Sequence, residues 1–312
     1  MGCEVIEGPP VSQPEKGYTE EQLIEICKDV DAFMGMAREK VTRRVIQAGN
    51  RLRIICKYGN GVDNIDIAAA TEHGVLVANA PVHNNTVAEF TFAITLSLLK
   101  KIPYSMGYLK NGGWRDSTTI GYELYKKTFG IVGLGGIGKQ LAKRLQGWEC
   151  EIITYDPFIS RETAELLGAR LVGWEELFTR SDIVTLHLPL TESTRGIVGA
   201  KEFGMMKNTA VLINASRGPI VDEAALIQAL QEKRIAGAAL DVFQKEPLDP
   251  TNPLLQMDNV VLTPHVAGFT YESMRRISEQ STANCLAALK GEIPEFVVNR
   301  EAIPIWKERF LK

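Results

Sequence analysis

Short apolar segments alternate with amphipathic segments along the chain from about residue 20 onward. This alternation is typical of parallel β/α units, because a strand buried on both faces appears as a short run rich in Val, Ile and Leu. A first series is predicted to contain helices over 20–27 and from 42, and strands over 31–36, 52–56 and 75–79. A second series is predicted to contain strands over 129–134, 151–155, 183–188, 210–214, 236–242 and 260–263.

Six strands separated by helical segments predict a Rossmann-type, doubly wound parallel sheet of the α/β class. Between the two series, residues 84–111 show helical spacing up to an interruption at Ile102 and Pro103, which predicts a long connecting helix and a further element. Another helical stretch, 270–289, leads to the tail. Because these helices bracket the second series, we expect a discontinuous first domain, 1–82 with 271–312, around a nucleotide-binding domain, 83–270.

Composition excludes several classes of protein. The 312 residues include 35 Lys plus Arg against 38 Asp plus Glu, a net charge of -3, which disfavours nucleic-acid binding. The five scattered cysteines form no C-x-x-C pair, so neither a disulfide framework nor a metal site is expected. The same cysteine pattern predicts a reducing compartment. No apolar run is long enough to span a membrane, and the first residues show neither the basic nor the apolar region of a signal peptide, which predicts a cytoplasmic protein.

A glycine string directly follows the first strand of the second series and directly precedes an amphipathic segment. It has the form G-x-G-x-x-G, and its cofactor-binding candidates are Gly133, Gly135, Gly136, Ile137 and Gly138. Such glycines permit a tight turn, close approach of a pyrophosphate and close helix packing. Asp156 ends the next strand about 20 residues later, where a carboxylate binds the adenosine ribose and repels a 2′-phosphate. The pattern predicts NAD as cofactor rather than NADP.

Three chemically active side chains follow the last strands of this sheet. Arg217 follows the strand 210–214, Glu246 follows 236–242, and His265 follows 260–263. A histidine accepts a hydroxyl proton, a carboxylate orients it, and an arginine binds a carboxylate or carbonyl in bidentate fashion, which together suit oxidation of an alcohol beside a carboxylate. Each residue alone is more often structural. Their joint position beside a dinucleotide motif favours the catalytic interpretation. It also favours His265 as the catalytic histidine over His73, His83 and His187.

These segments together resemble the D-2-hydroxyacid dehydrogenase family. The resemblance rests on the glycine string with Asp156, on 215–218 with 220–223 after it, on 239–243 up to Glu246 and Pro247, and on 263–265. Residues 58–66 and 85–89 are most similar to the D-3-phosphoglycerate dehydrogenase branch. The resemblance covers nearly the whole chain from about residue 20, in the family's order.

The resemblance implies an NAD-dependent enzyme whose catalytic residues are Arg217, Glu246 and His265. It also implies that Asp241 holds the nicotinamide carboxamide, that Thr86 contributes to the cofactor site, and that the smaller, flavodoxin-like substrate domain is built from both chain ends. The implied substrate-binding residues are Lys57, Tyr58, Gly59, Asn60 and Gly61. A homodimer formed through the connecting-helix region is implied as well.

The sequence departs from the family in three places. The opening strand and helix are absent or shortened, since residues 3–10 offer one poor strand. The phosphoglycerate branch commonly has an arginine where this chain has Lys57, and a lysine cannot make the same bidentate contact. Nothing after Lys312 corresponds to a regulatory domain, so serine feedback is not expected.

Two other functions share this fold. Corepressors of the C-terminal-binding-protein type use NAD as a conformational ligand, but they carry long disordered tails, whereas this chain ends soon after its last predicted helix. Formate dehydrogenases place an amide where Glu246 stands, so the carboxylate argues against a formate or phosphite donor. The expected reaction interconverts a small (R)-2-hydroxy acid and its 2-oxo acid. A 3-phosphoglycerate or hydroxypyruvate-like substrate is expected, and the sequence does not name the acid.

Overall fold

A computed structural model of the chain describes residues 2–8, 17–35 and 39–311. These residues divide into two compact units. The smaller unit contains its described residues within 1–83 and 270–312, and the larger unit is 84–269, all of which is described.

The helices and strands follow one another in a largely alternating order. The helices are α1 (Glu20–Cys27), α2 (Arg43–Ala48), α3 (Ile67–Glu72), α4 (Asn84–Leu99), α5 (Ile102–Lys110), α6 (Gly136–Leu145), α7 (Arg161–Glu165), α8 (Trp174–Arg180), α9 (Ala200–Met205), α10 (Glu223–Gln231), α11 (Tyr271–Leu289) and α12 (Ile303–Phe310). The strands are β1 (Ala32–Gly35), β2 (Ile54–Lys57), β3 (Leu76–Ala78), β4 (Thr128–Val132), β5 (Glu151–Tyr155), β6 (Ala169–Leu171), β7 (Ile183–Leu186), β8 (Val211–Asn214), β9 (Gly237–Leu240) and β10 (Val260–Leu262). Short 3-10 turns occupy Ser117–Thr119, Gln146–Trp148, Gly218–Ile220, Pro253–Gln256 and Arg300–Ala302.

The smaller unit is built on a three-stranded parallel sheet in the order β1-β2-β3. Every residue of β2 is buried. Residues 2–8 form neither helix nor strand, and residues 9 and 10 of the poor opening strand lie outside the described residues, as does Met36 at the end of the predicted strand 31–36.

The C-terminal segment completes the core of this smaller unit. α11 packs against the three strands, and Val297 forms an antiparallel bridge with Ala78. The buried Asn299 accepts a hydrogen bond from Val77 N at 2.7 Å and donates to Val75 O at 3.0 Å, which satisfies the outer edge of β3. Trp306 on α12 is fully buried in the same apolar cluster. Residues from the C-terminal segment and from the three strands therefore share one apolar core in the smaller unit.

The larger unit contains a seven-stranded parallel sheet in the order β10-β9-β8-β7-β4-β5-β6. Its core has two halves, one on each face. Ile131, Ile183 and Ile213 belong to one apolar cluster, whereas their neighbours Val132, Val184 and Leu212 belong to the other. This alternation is the two-residue period of strands that are buried on both faces. The Rossmann-type doubly wound fold is confirmed.

The predicted count of six strands was one too low, because β6 at the sheet edge was missed. This strand has three residues, and Arg170 in its middle is exposed, so it lacks a continuous apolar run. The predicted interruption after α4 is confirmed. The chain turns at Lys101, which has a left-handed backbone with φ 51°, and Pro103 lies in the first turn of α5.

None of the helices in the described part of the chain combines the length and the apolar character that crossing a membrane requires.

We expect Trp306→Ala to destabilise the protein, because it removes a fully buried indole from the core of the smaller unit. The free energy of unfolding should fall by about 3–5 kcal/mol, measured by urea denaturation. Ile305→Ala on the same helix is the control, since Ile305 is 42% exposed. A loss for Trp306→Ala no larger than that of the control would contradict this account of the core.

Candidate active site

The glycine loop between β4 and α6 has a backbone that side chains would disrupt. Gly133 has φ 91°, in the left-handed region, and a Cβ there would lie 2.8 Å from His187 O. A Cβ on Gly138 would lie 2.3 Å from Gly133 O. Glycine at both positions therefore lets α6 start close against the end of β4.

Gly135 has a different reason to be glycine. It is exposed, it caps α6 without any side-chain hydrogen bond, and no atom lies within 4 Å of where its Cβ would be. A side chain there would occupy open space at the N-terminus of α6. Such a surface fits a dinucleotide pyrophosphate, which binds uncapped helix N-termini.

The start of α4 lies beside this loop. A Cβ on Gly136 would lie 2.5 Å from Asn84 Nδ2, so the first residue of α4 touches the start of α6. Thr86 is buried in the first turn of α4, and Ile137 is half-buried. The structure thus places both predicted cofactor residues near the glycine loop, and their contact with a cofactor stays a prediction.

Asp156 is tied to the glycine loop from the neighbouring strand. It follows β5, and its two carboxylate oxygens accept hydrogen bonds from Leu134 N at 2.8 Å and Phe158 N at 2.9 Å. A carboxylate has about four lone-pair positions. Because Asp156 is partly exposed, the remaining positions suit the ribose hydroxyls of an adenosine.

Asp241 is fully buried after β9 and organises the loop that carries His265. Its carboxylate accepts hydrogen bonds from Thr263 Oγ1 at 2.7 Å, Val266 N at 2.9 Å and Ala267 N at 2.8 Å. Burial raises the pKa of Asp241 above its ordinary value, although these hydrogen bonds act in the opposite direction. Its predicted bond to the nicotinamide carboxamide stays a prediction.

His265 and Glu246 form the closest pair of titratable groups at this edge. His265 Nδ1 lies 2.7 Å from Glu246 Oε2, and Glu246 Oε1 accepts from Phe243 N at 3.0 Å. The two side chains are 42% and 37% exposed, so a small molecule can reach them. Because an ionised carboxylate only accepts hydrogen bonds, Nδ1 donates to Glu246, and Nε2 is the accepting nitrogen of the neutral ring.

Two features stabilise this pair. His265 has a left-handed backbone with φ 55°, uncommon outside glycine, and its N–H donates to Asp241 O at 2.8 Å. Burial by itself raises the pKa of Glu246. The hydrogen bond and charge of His265, the Phe243 N–H and the charge of Arg217 together lower the pKa by more than burial raises it, so the net shift is downward. Glu246 is therefore ionised near neutral pH.

Arg217 lies in the turn after β8, which the buried side chain of Asn214 shapes. Asn214 Oδ1 accepts from Ser216 N at 3.0 Å, and Asn214 Nδ2 donates to Arg217 O at 3.0 Å. The next residue, Gly218, approaches the β9 loop so closely that its Cβ would lie 1.9 Å from Phe243 O. The loops that carry Arg217 and Glu246 are thus packed directly together.

The predicted substrate-binding turn lies in the smaller unit, after β2. Lys57 is 4% exposed, and its Nζ donates to Asn64 Oδ1 at 2.8 Å. Gly59 has φ 123° with open space at its Cβ position. Asn79 Nδ2 donates to Asn60 O at 2.8 Å, which helps to hold the turn. Tyr58 OH donates to Met274 O on α11 at 3.0 Å.

His187 is a residue whose position the sequence analysis undervalued. It directly follows β7, the neighbour of β4, and its carbonyl is the atom against which Gly133 packs. Its Nε2 lies 3.1 Å from Thr185 Oγ1, and burial lowers the pKa of His187 to about 4. The available signal was its place at the carboxyl end of the strand where the sheet order reverses.

No group of His, Cys, Asp and Glu side chains within residues 2–8, 17–35 and 39–311 has the arrangement of a metal site.

The fold and the site together define a dinucleotide-binding protein of the oxidoreductase class. The defining features are the doubly wound sheet, the uncapped helix after the glycine loop, the acidic residue after β5 and the His–Glu pair at the same edge. Residues 92–267 match the family model described as D-isomer specific 2-hydroxyacid dehydrogenase, NAD binding domain. The chain belongs to this family of NAD-dependent oxidoreductases, as its motifs predicted.

Three relatives illustrate the match. The chain is 44% identical to a D-3-phosphoglycerate dehydrogenase of Methanocaldococcus jannaschii over 92% of its length, but it spans only 55% of that relative. It is 40% identical to a glyoxylate reductase of Korarchaeum cryptofilum, covering 91% of this chain and 87% of the other. The crystal structure of a D-lactate dehydrogenase from Aquifex aeolicus with NAD and lactic acid aligns with a TM-score of 0.82 at 29% identity, covering 88% of this chain and 89% of the other.

We expect the unmodified protein to use NADH with a clearly higher kcat/KM than NADPH, because a 2′-phosphate would meet the negative charge of Asp156. Asp156→Ala should narrow that preference by about tenfold, the equivalent of roughly 1.4 kcal/mol. The measurement is the ratio of kcat/KM for the two cofactors. Glu165→Ala, which removes an exposed carboxylate from α7, should leave the ratio unchanged. Equal use of both cofactors by the unmodified protein would refute the role of Asp156.

Proposed function

We propose that the protein is an NAD-dependent dehydrogenase that interconverts a small (R)-2-hydroxy acid and its 2-oxo acid. The observation that carries this proposal is the 2.7 Å contact between His265 and Glu246 at the carboxyl edge of the sheet, with the charge of Arg217 acting on the same carboxylate. A base, its orienting carboxylate and a cation for the substrate are the groups that this reaction needs.

The nicotinamide ring supplies or accepts the hydride when NAD is bound, and the protein residues control charge and protons. Arg217 binds the carboxylate or carbonyl of the substrate. His265 Nε2 takes the hydroxyl proton during oxidation and returns it to the forming hydroxyl during reduction. Glu246 holds the ring through Nδ1 and stabilises the imidazolium by its negative charge.

The pH dependence of the proposed reaction concerns the charges of Glu246 and His265. The pKa of Glu246 lies below the ordinary value of a glutamate, so the carboxylate is charged near neutral pH. A change of rate near neutral pH therefore does not arise from Glu246. Oxidation requires the neutral ring and is lost as the pH falls, whereas reduction requires the protonated ring and is lost as the pH rises.

The substrate class that we propose is a small acid with a second polar or anionic end. The relatives include D-3-phosphoglycerate dehydrogenases and glyoxylate reductases, and the turn after β2 combines open backbone at Gly59 with the cation of Lys57. A 3-phosphoglycerate or hydroxypyruvate-like substrate suits this combination. The turn's backbone N–H groups would bind the substrate carboxylate, as the family resemblance implies.

We further propose a homodimer formed through the α4–α5 region. Ile102, Met106, Leu109 and Trp114 are between 44% and 75% exposed along α5 and the segment after it. Clustered apolar exposure of this kind marks protein interfaces.

Removing the base should abolish catalysis in both directions. We expect His265→Ala to lower kcat about 100-fold or more while the dissociation constant for NADH stays unchanged, because the glycine loop and Asp156 do not depend on the imidazole. Glu246→Gln should shift both pH–rate profiles toward lower pH and reduce the reductive rate most near neutrality. The measurements are pH profiles of kcat/KM and NADH fluorescence titration. Substantial activity in His265→Ala, or unmoved profiles in Glu246→Gln, would disprove the relay.

The substrate is tested by following NADH consumption with 3-phosphohydroxypyruvate, hydroxypyruvate, glyoxylate, pyruvate and bulkier 2-oxo acids. We expect turnover with at least one small acid, and inactivity with all of them would favour an NAD-sensing protein of the corepressor type. Lys57→Ala should raise KM for an anionic-ended acid roughly 10- to 100-fold, as loss of a charge-assisted hydrogen bond does, and should affect glyoxylate far less. Equal losses for both acids would mark Lys57 as structural.

A further inference from the structure

We propose that Glu223 is a positioning residue for the reaction proposed above: it ties together both ends of the 244–252 loop and thereby holds Glu246 against His265. This inference rests on the proposed function. Glu223 is the first residue of α10. It belongs to the segment 220–223, which contributes to the family resemblance, but it is not one of the proposed catalytic residues.

The two carboxylate oxygens of Glu223 bind two separate points of this loop. Glu223 Oε2 accepts from Gln244 N at 3.0 Å, and Glu223 Oε1 accepts from Asn252 Nδ2 at 2.9 Å. Glu246 lies between these two anchored residues. One half-buried side chain on α10 therefore fixes the beginning and the end of the segment that carries the carboxylate of the relay.

The near anchor lies next to the atoms that orient Glu246. Phe243 N donates to Glu246 Oε1 at 3.0 Å, and the following N–H, that of Gln244, donates to Glu223. Gly218 also packs against the backbone of Phe243 and Gln244, with its Cβ position 2.7 Å from Gln244 N. Loss of Glu223 would leave Gln244 N without its side-chain acceptor while the packing of Gly218 remained.

A carboxylate suits this position better than an amide. Both loop groups are donors, and only a carboxylate offers two accepting oxygens, whereas a glutamine would turn its NH₂ toward one of them. The loop also carries Lys245 and Asp249, and the pKa of Asp249 is lowered first by hydrogen bonds from Thr251 and to a smaller extent by the charge of Lys245. Lys245 and Asp249 are both exposed, so we do not assign them as anchors of the loop. The anchors that we assign are the two hydrogen bonds of Glu223.

The test is a comparison of Glu223→Ala and Glu223→Gln with the unmodified protein. We expect Glu223→Ala to lower kcat/KM about tenfold or more, the scale of a misplaced catalytic group, and to shift the pH profiles in the direction of Glu246→Gln. The dissociation constant for NADH should stay within about twofold. Glu223→Gln should show a smaller loss, because one of the two anchors survives. Unchanged kinetics and pH profiles in Glu223→Ala would overturn the proposal.

Asp222→Asn is the matched control. It removes the neighbouring negative charge but keeps an oxygen to accept the capping hydrogen bond from Ala225 N, which is 3.1 Å long. Its kinetics and pH profiles should match those of the unmodified protein. If Asp222→Asn reproduces the effect of Glu223→Ala, then general charge at the start of α10 is responsible and the proposal is wrong.

A double-mutant cycle separates positioning from general destabilisation. If Glu223 acts through Glu246, then Glu223→Ala in a Glu246→Gln background should change kcat/KM by no more than about twofold. An undiminished effect in that background would overturn the proposal.

Asn252→Asp provides a second variant that leaves α10 intact. It keeps an acceptor for Leu254 N, whose bond is 3.0 Å long, but places a carboxylate against Glu223. It should reproduce the kinetic signature of Glu223→Ala, and unmoved kinetics would count against the proposal.

The outcomes also distinguish this inference from the proposed function. If no 2-oxo acid is reduced, the proposed function fails. If turnover is found and depends on His265 and Glu246 but not on Glu223, the proposed function stands and the positioning role of Glu223 fails.

Discussion

The common direction of the strands in the larger unit is the constraint on which the candidate site depends. Because β4, β5, β8, β9 and β10 are parallel, their carboxyl ends meet at one edge of the sheet. The glycine loop, Asp156, Arg217, Glu246 and His265 each follow one of these strands. Residues far apart in sequence are thereby collected at one edge, where the reversal of strand order between β4 and β7 opens a binding region.

Close backbone approaches convert this shared edge into a defined geometry. Gly218 allows the β8 loop to contact the β9 loop at Phe243, and Gly133 allows the glycine loop to pack on the carbonyl of His187. Any larger residue at these positions would force the backbones apart by more than a side chain can absorb. The close approach of the loops that carry Arg217 and Glu246 is therefore set by backbone packing at Gly218.

Buried and exposed carboxylates have different functions at this edge. Asp241 is fully buried and accepts three hydrogen bonds from the loop that follows β10, so it stabilises the left-handed conformation of His265. Glu246 is partly exposed, and its pKa is lowered by His265, Phe243 and Arg217 against the effect of burial. The first shapes the site, and the second carries the charge that the proposed proton transfer uses. Glu223 extends this arrangement to the ends of the loop that bears Glu246.

The sequence by itself determined the fold class, the family and the identity of the candidate residues, because apolar runs, the glycine string and the segments after the strands are local patterns that require no knowledge of distant contacts. It missed β6, whose three residues carry an exposed arginine and no apolar run. Only the tertiary structure showed that Asp241 is enclosed by the His265 loop, that the carbonyl of His187 supports Gly133, and that Glu223 reaches both Gln244 and Asn252. These contacts join residues from separate strands and loops, and their partners are chosen by how the chain packs, which no local pattern of residues encodes.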